Sequence, residues 1–207
     1  MAILKAGRGN GSSNGSAPWL GIKPARIVEV RDESDKWDWA EIYLVVELAV
    51  EGSDYNRPLK IAGTFERSTD GTIQENSLVR RINYLCTALG WDGGINQHGK
   101  WEDENGEEVT EIATFLDDNY ANKGTDFNFL VYVYKEPPKN GKSYTRVHNK
   151  IMKNEGTNER RLEDHIAYLK KNGYLKEAKP EDSTVAEMNE IFGTDDNAVG
   201  DIQLENL

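Results

Sequence analysis

Residues 42–50 read IYLVVELAV, and this stretch decides the fold. Its apolar side chains stand at every second position: Ile42, Leu44, Val46, Leu48 and Val50. Because a β-strand turns successive side chains to opposite faces, this spacing predicts a strand with one face in a core. We expect the strand to begin near Trp39 and to end at a polar turn over residues 51–58.

Stretches of the same kind lie on both sides of this strand. An Ile and Val pattern over residues 25–31 predicts a preceding strand, and residues 59–65 alternate as a following one. Further along the chain, residues 127–134 and 143–152 alternate again, which predicts a fourth and a fifth strand. The chain therefore indicates a sheet of five strands.

Two segments show helical periodicity instead. The first has Asn76 or Ser77 as its N-cap and Gly90 as its end, and its apolar residues fall on one helical face: Leu78, Ile82, Leu85 and Leu89. The second covers residues 158–172, with Leu162, Ile166 and Leu169 on one face. In the stretch before the fourth strand we expect a small hairpin at Asn105-Gly106 and a short helix over residues 111–120.

The order of three strands, a helix and two strands is the order of the OB-fold, a five-stranded Greek-key barrel. We therefore predict a mainly β protein: an OB-fold-like barrel with one helix between strands three and four, an irregular insert and a C-terminal helix. The expected segments are a flexible arm over residues 1–21, a barrel domain over 22–156 with its insert at about 91–126, a helix over 157–179, and an acidic tail over 180–207.

Composition limits the classes of function. Cys86 is the sole cysteine, and His98, His148 and His165 lack the spacing of metal ligands, so we expect no cofactor, no metal site and no enzyme. The sequence contains no run of about 18 apolar residues, so we expect no membrane span. The N-terminal residues lack the apolar stretch of a secretory signal, which favours a cytoplasmic protein.

Charge is distributed unevenly along the chain, whose net charge is −11. Residues 135–179 carry twelve Lys or Arg against six Asp or Glu, whereas residues 181–207 carry eight acidic side chains and no Lys or Arg. A basic, aromatic segment joined to an acidic peptide predicts a nucleic-acid binder that carries a competitor for its own site.

The basic segment supplies the main candidate site. Aromatic rings can stack on the exposed bases of single-stranded DNA, and cations can pair with its phosphates. On an alternating strand we expect the relevant side chains to project together, away from the core; they are Tyr132, Tyr134, Lys135, Lys139, Lys142, Tyr144, Arg146, His148 and Lys150. The alternative is a solvated edge hairpin, on which Lys and Arg suppress aggregation.

A second candidate set lies on the early strands. Trp37, Trp39 and Tyr43 share one side of the second strand, where they either stack on bases or clamp the barrel mouth. Arg57 and Lys60 on the next turn are candidate phosphate partners.

The acidic tail is either a solubilising extension or a displaceable lid. In the second hypothesis its carboxylates occupy the cationic surface when DNA is absent and engage partner proteins when DNA is bound. The candidate tail residues are Asp195, Asp196, Asp201, Glu205 and Leu207.

Together these features resemble a phage-type single-stranded DNA-binding protein with an OB-fold and an acidic C-terminal tail. The resemblance rests on the order of elements over about residues 22–152, the hairpin from Tyr132 to Val147, and the tail. It implies sequence-tolerant coating of single-stranded DNA in viral replication, recombination or repair, in the host cytoplasm. It also implies recruitment of DNA polymerase, helicase or nuclease by the tail. The insert has no counterpart in this group, and we expect it to be a dimer arm, giving a homodimer, or a strand-clamping loop.

Three alternatives stay open at the level of sequence. The middle of the chain, residues 32–134, has a net charge of −13 and could form a protein-interaction module that ignores nucleic acid. Asp117 and Asp118 could hold a divalent cation in a nuclease. RNA could replace DNA as ligand, because stacking does not read the 2′-hydroxyl group.

Overall fold

The computed structural model of the chain describes residues 17–178. In this part of the chain eight strands and three α-helices form, besides one turn of 3₁₀-helix at Ser34–Lys36. In chain order they are β1 (Gly21–Asp32), β2 (Ile42–Val50), β3 (Arg57–Gly63), α1 (Ser77–Leu89), β4 (Gly94–Ile95), β5 (Trp101–Glu102), α2 (Ile112–Tyr120), β6 (Phe129–Lys135), β7 (Thr145–Val147), β8 (Met152–Lys153) and α3 (Asn158–Lys171). None of these helices has the length and apolarity needed to cross a membrane. The division into arm, barrel domain, helix and tail stays a prediction.

Five antiparallel strands form a nearly closed barrel in the order β3-β2-β1-β6-β7. The seam lies between β3 and the segment after β7. There the Asn149 side chain, oriented so that both of its polar atoms have partners, donates to the backbone oxygen of Lys60 at 2.9 Å. With α1 between β3 and β6, this is the predicted OB-like barrel, and the fold prediction is confirmed.

The alternating side chains of β2 and β3 fill the barrel, and α1 packs its apolar face into the same core. Leu44, Leu59 and Ile82 are all 1% exposed or less. Asn76 caps α1 by accepting hydrogen bonds from Leu78 N at 3.0 Å and Val79 N at 3.1 Å. Gly90 ends the helix in the left-handed conformation, with φ of 67°. The sequence-based bounds of α1 are therefore confirmed.

The insert is structured and packs against the barrel. The tight turn expected at Asn105-Gly106 is present, since Gly106 N donates to Asp103 O at 3.1 Å, and α2 matches the expected short helix within one residue. The pairing register of β1 with β2 shifts between Ile27 and Glu29. Two side chains of the insert form hydrogen bonds with the β1 backbone at this shift. Asp117 accepts from Val30 N at 2.8 Å, and Asn122 donates to Val28 O at 2.6 Å.

The helix α3 lies against the outer face of β6 and forms a second small core. Leu162, Ile166 and Leu175 pack there against Leu130 and Tyr132 of β6. The two faces of β6 are thus both covered: Val131 and Val133 face the barrel interior, and the side chains between them face α3.

The single fifth strand predicted over residues 143–152 is wrong. The pairs Val133–Val147 and Leu130–Met152 enclose two residues of β6 but four residues, 148–151, of the other chain segment. The surplus forms a bulge that separates β7 from β8. Because of this bulge, Asn149 reaches across the seam to β3.

Candidate nucleic-acid interface

A surface groove of about 600 Å³ lies between the β6–β7 hairpin and the segment that follows α3. We name it the hairpin groove. Three tyrosines line it, with three cations and one carboxylate beside them: Tyr134, Tyr144, Tyr174, Lys139, Arg146, Lys176 and Glu136. The charged lining therefore favours an anionic ligand, and the rings offer flat apolar surfaces.

Tyr144 is the most accessible of the predicted tyrosines. Its side chain is 52% exposed, and the Arg146 guanidinium lies 5.7 Å from the centre of its ring. Arg146 also pairs with Glu136, with Nε 3.0 Å from Oε2. This ion pair is partly exposed at both partners, so it holds the guanidinium in place without removing it from solvent.

The expectation of exposed Tyr132 and Tyr134 rings is wrong for Tyr132. Its ring lies under α3 and is 8% exposed. Its hydroxyl donates to Glu177 at 2.6 Å and accepts from Lys170 at 2.7 Å, and these contacts hold the segment after α3 against β6. Tyr134 is half-buried, with its ring stacked on Tyr132 at 6.1 Å, and its open side lines the groove.

The predicted lysines of the hairpin occupy its loop and its base. Lys139 and Lys142 are exposed, and the two residues bridge the loop through Lys139 N to Lys142 O at 2.9 Å. Lys135 ends β6, and its backbone oxygen accepts from Ala178 N at 2.9 Å. The chain therefore reaches its last described residue beside the hairpin groove.

His148 and Lys150 do not continue a regular row with Tyr144 and Arg146, because the strand ends at Val147. His148 lies 5.6 Å from the ring of His165 on α3. Lys150 turns towards α1, where its Nζ lies 5.2 Å from the centre of the Tyr84 ring. The predicted row is thus correct at its first two members and wrong beyond them.

Trp37, Trp39 and Tyr43 form the loop cluster, at the start of β2. Trp37 stacks on Tyr43 at 5.3 Å between ring centres, and Trp39 meets Tyr43 edge-on at 5.9 Å. Lys60 of β3 lies over Tyr43, with Nζ 5.8 Å from the ring centre. Tyr43 is 7% exposed, whereas Trp37 and Trp39 are 42% and 56% exposed. The two tryptophans therefore cover Tyr43 and keep part of their surface open.

Arg57 does not join this cluster. Its guanidinium lies 4.4 Å from the centre of the Trp19 ring, and its Nε donates to Ser53 at 3.2 Å. These contacts hold Arg57 against Trp19, before β1, and against the turn before β3, so Arg57 and Lys60 do not share one surface with the loop cluster; the role of each as a phosphate partner stays a prediction.

Two aromatic or basic residues of the site lie outside the sequence-based set. Tyr174 and Lys176 follow α3, and their position beside β7 depends on how α3 docks on β6. No local pattern signals that docking, although the surplus of aromatic and basic residues after position 165 is visible in the sequence.

Within residues 17–178, no three His, Cys, Asp or Glu side chains lie close enough together to hold a metal ion. Asp117 instead accepts a hydrogen bond from the β1 backbone at Val30 N. The tail residues Asp195, Asp196, Asp201, Glu205 and Leu207 lie outside the described residues.

Comparison of the chain with protein-family models, with curated protein sequences and with solved structures found no match.

Proposed function

We propose that this protein binds single-stranded DNA without strong sequence preference, in viral DNA replication, recombination or repair in the host cytoplasm. The observation that carries the proposal is the hairpin groove, which combines accessible tyrosine rings with a surplus of cations. Bases of any identity can stack on tyrosine, and the cations pair with phosphates. The binding is non-catalytic.

The loop cluster extends this surface across the barrel. In the barrel order β2 follows β3, and the segment after β7 meets β3 at the seam. The outward side chain of Lys60 on β3 therefore lies between the hairpin groove and the loop cluster. A strand of DNA that crosses β7, β3 and β2 would meet Arg146, Lys60 and Trp39 in turn.

The acidic tail acts in this proposal as a competitor for the same cations. Ala178 is anchored to Lys135 at the base of the hairpin, so the following segment starts next to the groove. Its eight carboxylates complement the charge of the groove. Once DNA displaces them, the tail is free to recruit a polymerase, a helicase or a nuclease.

Fluorescence-anisotropy titration of labelled dT oligonucleotides tests this proposal. We expect the full chain to bind, to lose affinity steeply as salt rises, and to bind more tightly when the chain is ended before Pro180. The matched control keeps the chain length and removes four of the eight acidic charges of the tail, with D195N, D196N, D201N and E205Q combined. It should raise DNA affinity as truncation does, but by less.

Two results would contradict the proposal in separate ways. Unchanged affinity after truncation would reject the competing tail and leave DNA binding intact. No binding by either form at low salt would reject DNA binding, and the acidic region over residues 32–134 would then be examined as a protein-interaction surface. A parallel titration with rU oligonucleotides decides between DNA and RNA.

A further inference from the structure

A cluster of four basic side chains lies where the bulge over residues 148–151 meets α1 and α3. We name it the basic cluster; its members are Arg81, His148, Lys150 and His165. The rings of His148 and His165 are 5.6 Å apart, and the ring of Tyr84 lies 6.3 Å from His165. Lys150 Nζ lies 5.2 Å from the same tyrosine ring. Three separate elements thus direct nitrogen donors to one place.

The basic cluster has no carboxylate to balance it within the described part of the chain. Over residues 17–178, none of its four members forms an ion pair within 4.0 Å. Burial chiefly, and then the positive charges of His165, Lys150 and Arg81, lower the pKa of His148 to about 4. Arg81 and Lys150 are thus half-buried cations beside a neutral His148 ring, and a bound anion would offset their charge.

The backbone holds the donors in place. Arg81 Nη1 donates to Ala62 O at 3.0 Å, and its Nε donates to the Asn149 side chain at 3.2 Å, which together use two of its five N–H groups. His148 Nδ1 accepts from Lys150 N at 3.1 Å. The neutral His148 ring therefore carries its hydrogen on Nε2, where it is a donor.

We propose that the basic cluster is a phosphate-binding subsite, with Arg81, Lys150, His148 and His165 as donors and Tyr84 as a wall for the adjoining base. The phosphate is a backbone phosphate of bound nucleic acid, and in this respect the inference rests on the proposed function. A free phosphate offers the same chemistry. His148, the member of the subsite nearest to Arg146 in the chain, follows it by two residues.

The experiment follows the imidazole NMR signals of the full chain during two titrations, one with inorganic phosphate and one with a dT oligonucleotide. We expect both to shift the signals of His148 and His165. Phosphate should also raise the pKa of His165, which burial and repulsion from Lys150 now lower. His98 lies in the exposed turn between β4 and β5, and its signals serve as the internal control.

A charge variant gives a second readout. Lys150→Gln should lower the slope of log affinity for dT against log salt by about 0.7, the contribution of one phosphate contact on a single strand. Lys100→Gln removes the same charge from the pair with Glu108 on the β4–β5 hairpin, and it should leave the slope unchanged.

The outcomes separate the subsite from the proposed function. If dT binds while the signals of His148 and His165 stay in place, the subsite is rejected and the proposed function stands. If phosphate shifts both signals but dT does not bind, the anion site is supported and the proposed function is rejected. If neither ligand moves the signals and dT does not bind, both are rejected.

Discussion

The hairpin groove and the loop cluster both combine aromatic rings with cations, yet they differ in what the rings touch. Trp37 stacks on Tyr43 with 17° between the ring planes, so one of its faces is used within the protein. Tyr144 and Tyr174 are 52% and 73% exposed, and they line an open groove. An aromatic residue can therefore stack on a base only with a face that the protein leaves open.

The first prediction concerns α3, which positions one wall of the hairpin groove and does not contact the loop cluster. Leu162→Ala leaves a cavity under α3, where the side chain is fully buried, and should cost about 2–5 kcal/mol of unfolding free energy. DNA affinity should fall because Tyr174 and Lys176 lose their position. Urea denaturation and dT titration measure the two effects.

Its control is Ala167→Ser, on an exposed face of the same helix. This change should alter stability by no more than about 0.5 kcal/mol. An L162A protein that is destabilised but binds dT as tightly as the parent would show that the groove does not depend on α3.

The second prediction compares the two regions directly. Tyr144→Ala should weaken dT binding by about 1–3 kcal/mol, the usual contribution of one stacked ring, whereas Tyr144→Phe should retain affinity because the ring remains. Trp37→Ala should mainly lower stability, since it uncovers Tyr43. Anisotropy titration and thermal unfolding of the three variants decide the order, and a larger loss of affinity in W37A than in Y144A would reverse our assignment.

The third prediction concerns charge in the groove. Arg146→Gln should reduce the dependence of dT affinity on salt by about 0.7 in slope, since one phosphate contact is lost. The slope is measured between two salt concentrations, with Lys100→Gln as the variant of equal charge change. An unchanged slope would mean that the Glu136 pair, and not DNA, occupies this guanidinium.

The fourth prediction is a pH dependence of stability. The pKa of His148 is lowered from 6.5 to about 4, chiefly by burial, so the unfolded chain binds the extra proton between these values. Stability due to this group is therefore present above pH 6.5 and is lost as pH falls towards 4.

His148→Asn should flatten the dependence of stability on pH, because asparagine does not titrate. The asparagine oxygen can still accept from Lys150 N, as His148 Nδ1 does now. Urea denaturation at several pH values between 4 and 7, in phosphate-free buffer, provides the measurement. Asp70, whose pKa is lowered to about 2 by hydrogen bonds from Ser68 and Thr72, changes stability only at lower pH. An equal slope in both proteins would remove His148 as its cause.

Much of the barrel could be predicted from the sequence because it depends on local patterns. The alternation in β2 and the cap and end of α1 at Asn76 and Gly90 each fix one element without reference to any other. The placement of Tyr144 and Arg146 side by side follows from the same kind of pattern, since both lie within or beside a short regular strand.

The remainder depends on contacts between distant segments. Tyr132 alternates outwards as expected, but α3 covers it, and no local pattern encodes where a helix will dock. The bulge at residues 148–151 follows from a two-residue surplus against β6, which separates Lys150 from Arg146. No local pattern predicts the basic cluster either, because Arg81, Lys150 and His165 come from three different elements.

Hydrogen–deuterium exchange of the full chain, with and without a dT oligonucleotide, tests whether DNA binds at the hairpin groove. We predict that DNA slows exchange in the hairpin over residues 136–146 and in the segment over 172–176, with weaker protection around the loop cluster. Protection confined to residues 33–43, or no protection at saturating oligonucleotide, would contradict the assignment of the hairpin groove as the DNA-binding surface.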